Sequence, residues 1–284
     1  MRVLVTGGAG RLGYEVVKLC SLEGYQVRAF DLPHVPWDHI ENLSGVESCK
    51  GDITDPVNVS DACDGVDAVI HLAALLPPRS EVNRDLTLKV NVEGTRNIID
   101  SLNPDSAIVF ASSIATYGVT AHEVPRIRED HLQVAYDNYS ESKIQAENLI
   151  KKSENLWNIL RIAPISVADL LELPEIVSYR GDQRVEFIFV DDAAYAIKAC
   201  LDRAPSSRDV FNVAGGSSWQ MTGAEYSGRF YGALGVEVEP TYSSEYTAVD
   251  WYDTEKSRGL GYQRTSFIQL EEKLVALGEE LELR

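Results

Sequence analysis

The run Thr6-Gly7-Gly8-Ala9-Gly10-Arg11-Leu12-Gly13 follows the apolar stretch Val3-Leu4-Val5 and opens a segment of helical character. Strand, glycine turn and helix in that order constrain the chain more than any other feature. Glycines permit the tight reversal and keep Cβ atoms away from whatever the backbone approaches. The helix N-terminus then presents free N–H groups and the positive end of its dipole, a natural seat for a pyrophosphate. Gly7, Gly10 and Gly13 are therefore candidate cofactor ligands, with Arg11 and Leu12 inside the same turn, and Gly8, Gly10 and Gly13 also satisfy the stricter G-x-G-x-x-G spacing.

The remainder of the first 165 residues repeats the theme. Val3–Val5, Gln26–Phe30, Ala68–His71, Ala107–Phe110 and Trp157–Ile162 read as strands, and longer helical patterns separate them. Continuous apolar strands alternating with helices predict an α/β fold with a doubly wound parallel sheet, buried on both faces, whose ligands bind at the carboxyl ends of the strands. After Ile162 the regularity weakens through the Leu/Glu/Pro-rich stretch Asp169–Pro174. Val185–Val190 then reads as a strand entering a helix at Asp192, where the acidic pair Asp191-Asp192 suits a helix cap. Val210–Val213 reads as a further strand, the turn at Gly215-Gly216 follows, and helices fall around Ala224–Leu234 and Phe267–Leu277. The expected organisation is a cofactor domain over residues 1–165, which also receives roughly 185–213, and a smaller α/β substrate lobe built from 166–184 and 214–284.

Charge narrows the partners. With 44 acidic and 26 basic residues the net charge is -18, which repels nucleic-acid phosphates and anionic lipid alike, so neither nucleic acid nor a membrane is an expected partner. Cys20, Cys49, Cys63 and Cys200 show no close pairing, and the five histidines show no ligand spacing. Reduced thiols, no metal site and, with no signal-like segment after Met1-Arg2, a cytoplasmic location are the expectations.

Two further features carry chemistry. Asp31 ends the second strand, where a carboxylate can accept from both hydroxyls of an adenosine ribose and repel a 2′-phosphate; this predicts NAD over NADP, with Arg11 and Arg28 as the residues that would reverse the preference. Tyr139 and Lys143 stand four residues apart on a helix predicted to run to about Lys152, so their side chains share one face. An unperturbed tyrosine, at about 10, is too weakly acidic to act as a base near neutrality, and a neighbouring ammonium favours its phenolate. The pair is thus a candidate proton-transfer couple for oxidation of a substrate hydroxyl.

In order along the chain stand the glycine run, Asp52-Ile53, His71-Leu72-Ala73-Ala74, Asn91-Val92-Glu93-Gly94-Thr95, Ser112-Ser113-Ile114-Ala115-Thr116-Tyr117-Gly118, Tyr139/Lys143, Phe189-Val190-Asp191-Asp192 and Phe211-Asn212-Val213. As an ordered set they resemble the extended short-chain dehydrogenases/reductases of the NAD-dependent epimerase/dehydratase family. The resemblance implies a Rossmann domain binding NAD, with Leu32, Ala111 and Ala163 among the cofactor-binding residues, Asp52 and Ile53 at the adenine, Leu72, Ala73 and Ala74 at the pyrophosphate and ribose, and Asn91 supporting the nicotinamide side. It implies Ser113, Tyr139 and Lys143 as the catalytic set, with Ser112 and Thr116 as nearby alternative hydroxyls. His71, at a strand end among apolar neighbours, reads as a satisfied core histidine. The family also implies a homodimer through helices spanning roughly 85–101 and 138–151.

The resemblance thins at the substrate. Where nucleotide-sugar relatives place an asparagine this chain has Arg161-Ile162-Ala163-Pro164-Ile165-Ser166, and only about 30 residues separate Arg161 from Asp191. Three readings follow. The first is a sugar-nucleotide epimerase, with Arg180 or Arg184 as replacement phosphate anchors; the second is a net dehydrogenase of a free sugar, uronate or similar secondary alcohol; the third is a non-catalytic NAD-binding regulator.

Overall fold

In the computed structural model of the protein, the described residues are 1–169, 173, 176–203, 207–237 and 240–283. Strands β1 (Arg2–Thr6), β2 (Gln26–Asp31), β3 (Val46–Lys50), β4 (Ala68–His71), β5 (Ala107–Ser113), β6 (Leu156–Ile162) and β7 (Arg208–Val213) form one parallel sheet in the order 7-6-5-4-1-2-3. All four residues of β4 are buried, as are the last four of β1, which is why these strands read as unbroken apolar runs. The edge strand β3, Val-Glu-Ser-Cys-Lys, is only half-buried, and its polar residues hide it from an apolar-run search. The direction of winding reverses between β1 and β4, and this opens a crevice at their carboxyl ends.

Helices α1 (Arg11–Leu22), α2 (Pro56–Cys63), α3 (Gly94–Ser101), α4 (Asn138–Lys152) and α5 (Val190–Arg203) cover the sheet. α4 starts at a capping box in which Asp137 accepts from the Ser140 N–H while the Ser140 hydroxyl receives the Asp137 N–H. Its first turn is further docked by Glu81, whose carboxylate accepts from the Asn138 and Tyr139 N–H groups at 2.9 and 3.1 Å. These contacts set the azimuth of the helix that carries Tyr139 and Lys143.

Two expectations about 185–192 are corrected. In place of one strand over Val185–Val190 there are two short pieces outside the main sheet. Arg184–Val185 pairs antiparallel with Met221–Thr222, and Ile188–Phe189 pairs parallel with Ile165–Ser166. The chain is pinned between them because the buried Glu186 carboxylate receives the Gly216 and Tyr252 N–H groups and the Gln220 amide, while the Phe187 carbonyl receives the Gly215 N–H. Nor does Asp192 cap its own helix. α5 has already begun at Val190, and the Asp192 carboxylate instead accepts from the Arg264 and Thr265 N–H groups and the Thr265 hydroxyl, fastening the C-terminal segment.

Beyond the sheet, α6 (Gly223–Leu234) and α7 (Phe267–Glu280) enclose a second apolar core with Val177, Tyr179, Val185, Phe189 and Trp219. Tyr252, Leu260 and Tyr262 pack instead into the core of the large sheet. The Asp169–Pro174 stretch lies largely outside the described residues. Among the described residues no helix is long and apolar enough to cross a membrane, and no cluster of potential metal ligands occurs.

Candidate active site

The glycine turn demands its glycines. Gly7 sits at φ +71°, and a Cβ there would lie 2.9 Å from the Ala73 nitrogen; one on Gly13 would overlap the Gly7 carbonyl oxygen. Helix α1 starts at Gly10 with no side chain capping it, so its first-turn N–H groups are left for an anion. The turn, α1 and β2 therefore fit the pyrophosphate of a dinucleotide. Asp31 stands at the end of β2 with its carboxylate accepting from the Ala9 and Leu32 N–H groups at 3.1 and 2.8 Å, which aims it across the turn. Leu32 is held in turn by its carbonyl, which receives the Trp37 indole N–H.

Neither arginine raised as a 2′-phosphate ligand is free. Arg28 donates to the carbonyls of Asp61, Ala62 and Asp64 at the end of α2 and pairs with Glu47 at 3.0 Å. Arg11 pairs with Asp169. Leu12 is partly buried between the two cores.

Other residues implied by the resemblance support the crevice from beneath. The Asp52 carboxylate accepts from the Thr54 N–H, and Ile53 is buried against Gly94, where a Cβ would meet it at 2.9 Å. Leu72 and Ala73 give their N–H groups to the Thr6 hydroxyl, and Ala74 follows them half-buried. Asn91 lies within a π-helical turn, Lys89–Glu93, and is fully buried. Its amide donates to the Leu75 carbonyl and the Ser142 hydroxyl and accepts the Leu75 N–H. These bonds hold the loop after β4 against α4. Ala163 is likewise buried, its N–H bonded to the Val213 carbonyl.

His71 is the satisfied core histidine its setting suggests. Nδ1 lies 2.7 Å from the Thr6 hydroxyl and Nε2 2.9 Å from the Thr95 hydroxyl. Because Thr95 spends its own proton on the Asn91 carbonyl, Nε2 must carry the hydrogen and Nδ1 must accept from Thr6. Burial, aided by the charge of Lys143, lowers its pKa to about 3, so the ring is neutral.

At the chemical end, the carboxyl end of β5 meets the first turn of α4. The Ser113 hydroxyl hydrogen-bonds the Tyr139 phenol, and the Lys143 ammonium donates to the Ala111 carbonyl at 2.8 Å while standing 5.7 Å from the centre of the Tyr139 ring. Of the alternative hydroxyls, Ser112 donates to Glu147 and Thr116 to the Ser113 carbonyl, which leaves Ser113 beside the phenol. The electrostatics differ from the expectation that Lys143 would favour phenolate. Burial raises the Tyr139 pKa above its ordinary value despite the Ser113 hydrogen bond, and burial lowers that of Lys143 to about 7 against the opposing pull of Glu147. The ammonium faces a carbonyl rather than the phenol, so desolvation outweighs the Ser113 hydrogen bond at Tyr139 and the charge of Glu147 at Lys143.

Sequence reading missed what lies one turn further along α4. Glu147 is completely buried, and its carboxylate accepts from Arg161 at 3.0 and 2.8 Å, Ser112 at 2.6 Å, Lys151 at 2.8 Å and Gln133 at 3.1 Å. Burial pushes its pKa up, but the Arg161 hydrogen bonds and charge, with Lys151, hold it at about 2. The signal was available: Tyr139, Lys143 and Glu147 are spaced i, i+4, i+8.

On the substrate side, both proposed phosphate anchors are already bound. Arg184 is bidentate on the buried Asp250 at 2.6 and 2.9 Å, and Arg180 is bidentate on Asp182 at 2.8 and 2.9 Å. A cavity of about 310 Å³ in the small lobe is lined mainly by apolar and aromatic side chains, among them Val177, Tyr179, Phe187, Tyr226 and Phe230. The hydroxyls of Tyr179 and Tyr226 are taken by Ser227 and Ser166.

A parallel 3-2-1-4-5-6-7 sheet with a glycine turn after β1, and with Ser, Tyr and Lys converging where β5 meets α4, defines an extended short-chain dehydrogenase/reductase. The model of the 3-beta hydroxysteroid dehydrogenase/isomerase family matches residues 4–167, well over half of the chain. The protein belongs to that family. It is 34% identical over 161 residues to a 3 beta-hydroxysteroid dehydrogenase/Delta 5-->4-isomerase of vaccinia virus, a match covering 53% of this chain and 46% of that protein. It is 30% identical over 257 residues to the 3beta-hydroxysteroid-dehydrogenase/decarboxylase isoform 2 of Arabidopsis thaliana, covering 78% and 44%. The chain thus spans about half the length of these relatives. In fold it is similar to a short-chain dehydrogenase/reductase superfamily protein from Agrobacterium tumefaciens with bound NAD, at a TM-score of 0.83, 23% identity and coverage of 99% and 98% of the two chains.

Proposed function

We propose that the protein is an NAD-dependent dehydrogenase that oxidises a secondary alcohol on a substrate lacking a nucleotide diphosphate, such as a free sugar, a uronate or a related alcohol. The observation that carries this reading is the junction of β5 with α4, where Ser113 and Tyr139 share a hydrogen bond beside the Lys143 ammonium. Ser113 would orient the substrate hydroxyl, and Tyr139, once the positive charge of an oxidised nicotinamide beside it favours loss of the phenol proton, would take the substrate proton when the alcohol is oxidised and return it in reduction. Lys143, held by the Ala111 carbonyl, would hold the cofactor. When bound, the nicotinamide supplies the acceptor for the hydride that leaves the carbinol carbon. Gly7, Gly10 and Gly13 with the first turn of α1 would seat the pyrophosphate, and Asp31 the adenosine ribose.

Sequence reading placed a sugar-nucleotide epimerase first. The geometry favours net oxidation instead, because an epimerase must anchor its substrate by phosphates while the keto sugar turns over. Pro164 offers no donor, and releasing Arg184 would strand the buried Asp250. The test is a screen of purified protein with NAD against free sugars, uronates, 3β-hydroxysteroids and UDP-, dTDP- and GDP-sugars. Stoichiometric NADH from an unphosphorylated alcohol is expected. An epimer formed from a nucleotide sugar without net NADH would decide for the epimerase, and NAD binding without any turnover for the non-catalytic regulator.

A further inference from the structure

Glu147 takes no part in the reaction just described, yet it is the most heavily bonded buried charge near it. Its five donors come from three directions: Arg161 from β6, Ser112 from β5, and Gln133 and Lys151 from the approach to α4 and its last turn. Arg161 is itself buried and bound over to the Tyr117 hydroxyl and the Glu129 carbonyl, each at 3.0 Å, and Tyr117 donates to Asn212 on β7 at 2.5 Å. The pair is therefore rigidly framed. An isolated ion pair of this kind need not stabilise a fold, since replacing both charges by apolar groups is often neutral. What distinguishes this one is its position.

Ser112, which donates to Glu147, stands between the two β5 residues the active site uses. Ala111 gives its carbonyl to the Lys143 ammonium, and Ser113 gives its hydroxyl to Tyr139. On the other side, Glu147 is one helical turn beyond Lys143 and two beyond Tyr139, on the same stripe of α4. A single carboxylate thus joins the strand end and the helix whose relative position sets the Ser113–Tyr139–Lys143 geometry. We propose that Glu147 is a positioning residue for this couple: through Ser112 it fixes the end of β5 against α4, and it supplies the carboxylate charge that faces the Lys143 ammonium. This inference rests on the reading of Lys143 as the residue that holds the cofactor.

The surroundings of Lys143 agree with the charge assignment. Tyr139 and Glu147 face it from its own helix, the neutral His71 from β4, and the Phe110 ring and Ala111 carbonyl from β5, the ring centre lying 4.8 Å away. Arg161 and Lys151 lie against Glu147. Burial lowers the Lys143 pKa, and Glu147 opposes that shift. Removing the carboxylate should lower the pH at which the ammonium is lost.

The experiment is a titration of the protein with NAD alone, followed by intrinsic fluorescence, from pH 5 to pH 10. Wild-type affinity is expected to fall as pH rises through the deprotonation of Lys143, and Lys143→Met should bind weakly at every pH with that fall abolished. Glu147→Gln should show the fall displaced downward by about one pH unit, so that NAD binds about tenfold more weakly midway along the limb. Ser112→Ala, which keeps the charge and cuts the tie to β5, should leave the limb in place. If Lys143→Met keeps the limb, the reading of Lys143 fails, and the inference with it. If Lys143→Met loses the limb while that of Glu147→Gln superimposes on the wild type, only the inference about Glu147 is overturned; a limb in Ser112→Ala that moves as far as in Glu147→Gln overturns the charge assignment. Should Glu147→Gln fail to fold with Arg161 left unpaired, the double variant Glu147→Gln/Arg161→Met runs the same titration with the same expected displacement, and failure of both to fold marks the pair as purely structural and refutes the proposal.

Discussion

Replacing Lys143 with methionine should make the protein more stable while it weakens cofactor binding. Lys143 is 3% exposed, and burial lowers its pKa from 10.5 to about 7. At about 1.4 kcal/mol for each pH unit, that gap sets a ceiling of about 5 kcal/mol on what the folded state loses by holding the charge. Methionine forfeits the 2.8 Å hydrogen bond to the Ala111 carbonyl and the contact with the Phe110 ring. A hydrogen bond from a charged donor contributes about 1.5–3 kcal/mol, so a net gain of up to about 2–3.5 kcal/mol remains. The pH dependence gives the sign. Below about pH 7 the native lysine is charged and the whole cost is present; as pH rises from about 7 toward 10.5 the native group is neutral while the unfolded one is still protonated, so the cost shrinks and then vanishes. Urea unfolding of both proteins without cofactor, at pH 6 and pH 10, measures this. A variant no more stable than the wild type at pH 6, or an advantage that is as large at pH 10, would refute the reasoning.

Tyr139→Phe should abolish turnover on the substrate that the screen returns while NAD affinity changes by less than about threefold, because the phenol proton matters to the hydride step and little to ground-state contacts; near-normal turnover would remove Tyr139 from the chemistry. The wild type should bind NAD more tightly than NADP, and Asp31→Ser should narrow the difference by lifting the repulsion of the 2′-phosphate; tighter NADP binding by the wild type in a calorimetric titration would be the contrary result. The helices around 85–101 and 138–151 should form a homodimer interface, with the exposed Leu86 near its edge. Light scattering at micromolar concentration checks this, and a monomeric mass would end the proposal.

Much of the architecture is local and was therefore legible in the chain. Central parallel strands are buried on both faces, so β1, β4, β5 and β6 announce themselves as apolar runs, whereas the half-exposed edge strand β3 does not. The glycine turn could be read because a positive φ at Gly7 and the close approach of Gly13 to the Gly7 carbonyl leave no other residue type room. Tyr139 and Lys143 could be paired because four residues of helix put side chains on one face. Asp31 follows from its place at the end of β2.

What tertiary structure alone decided concerns how polar groups were distributed among partners far apart in sequence. Nothing near Arg28 in the chain indicates that its guanidinium closes the end of α2, nothing near Arg184 that it is held by Asp250, and nothing near Asp192 that it fastens residues 264 and 265. The charge state of the couple belongs to the same class. Helical spacing brings Lys143 beside Tyr139, but the three-dimensional packing buries both, turns the ammonium toward the Ala111 carbonyl and sets Glu147 against Arg161 behind it. Periodicity and steric necessity act over a few residues and are written in the order of the amino acids. Desolvation and ion pairing depend on which distant segments arrive, and exist only once the chain has folded.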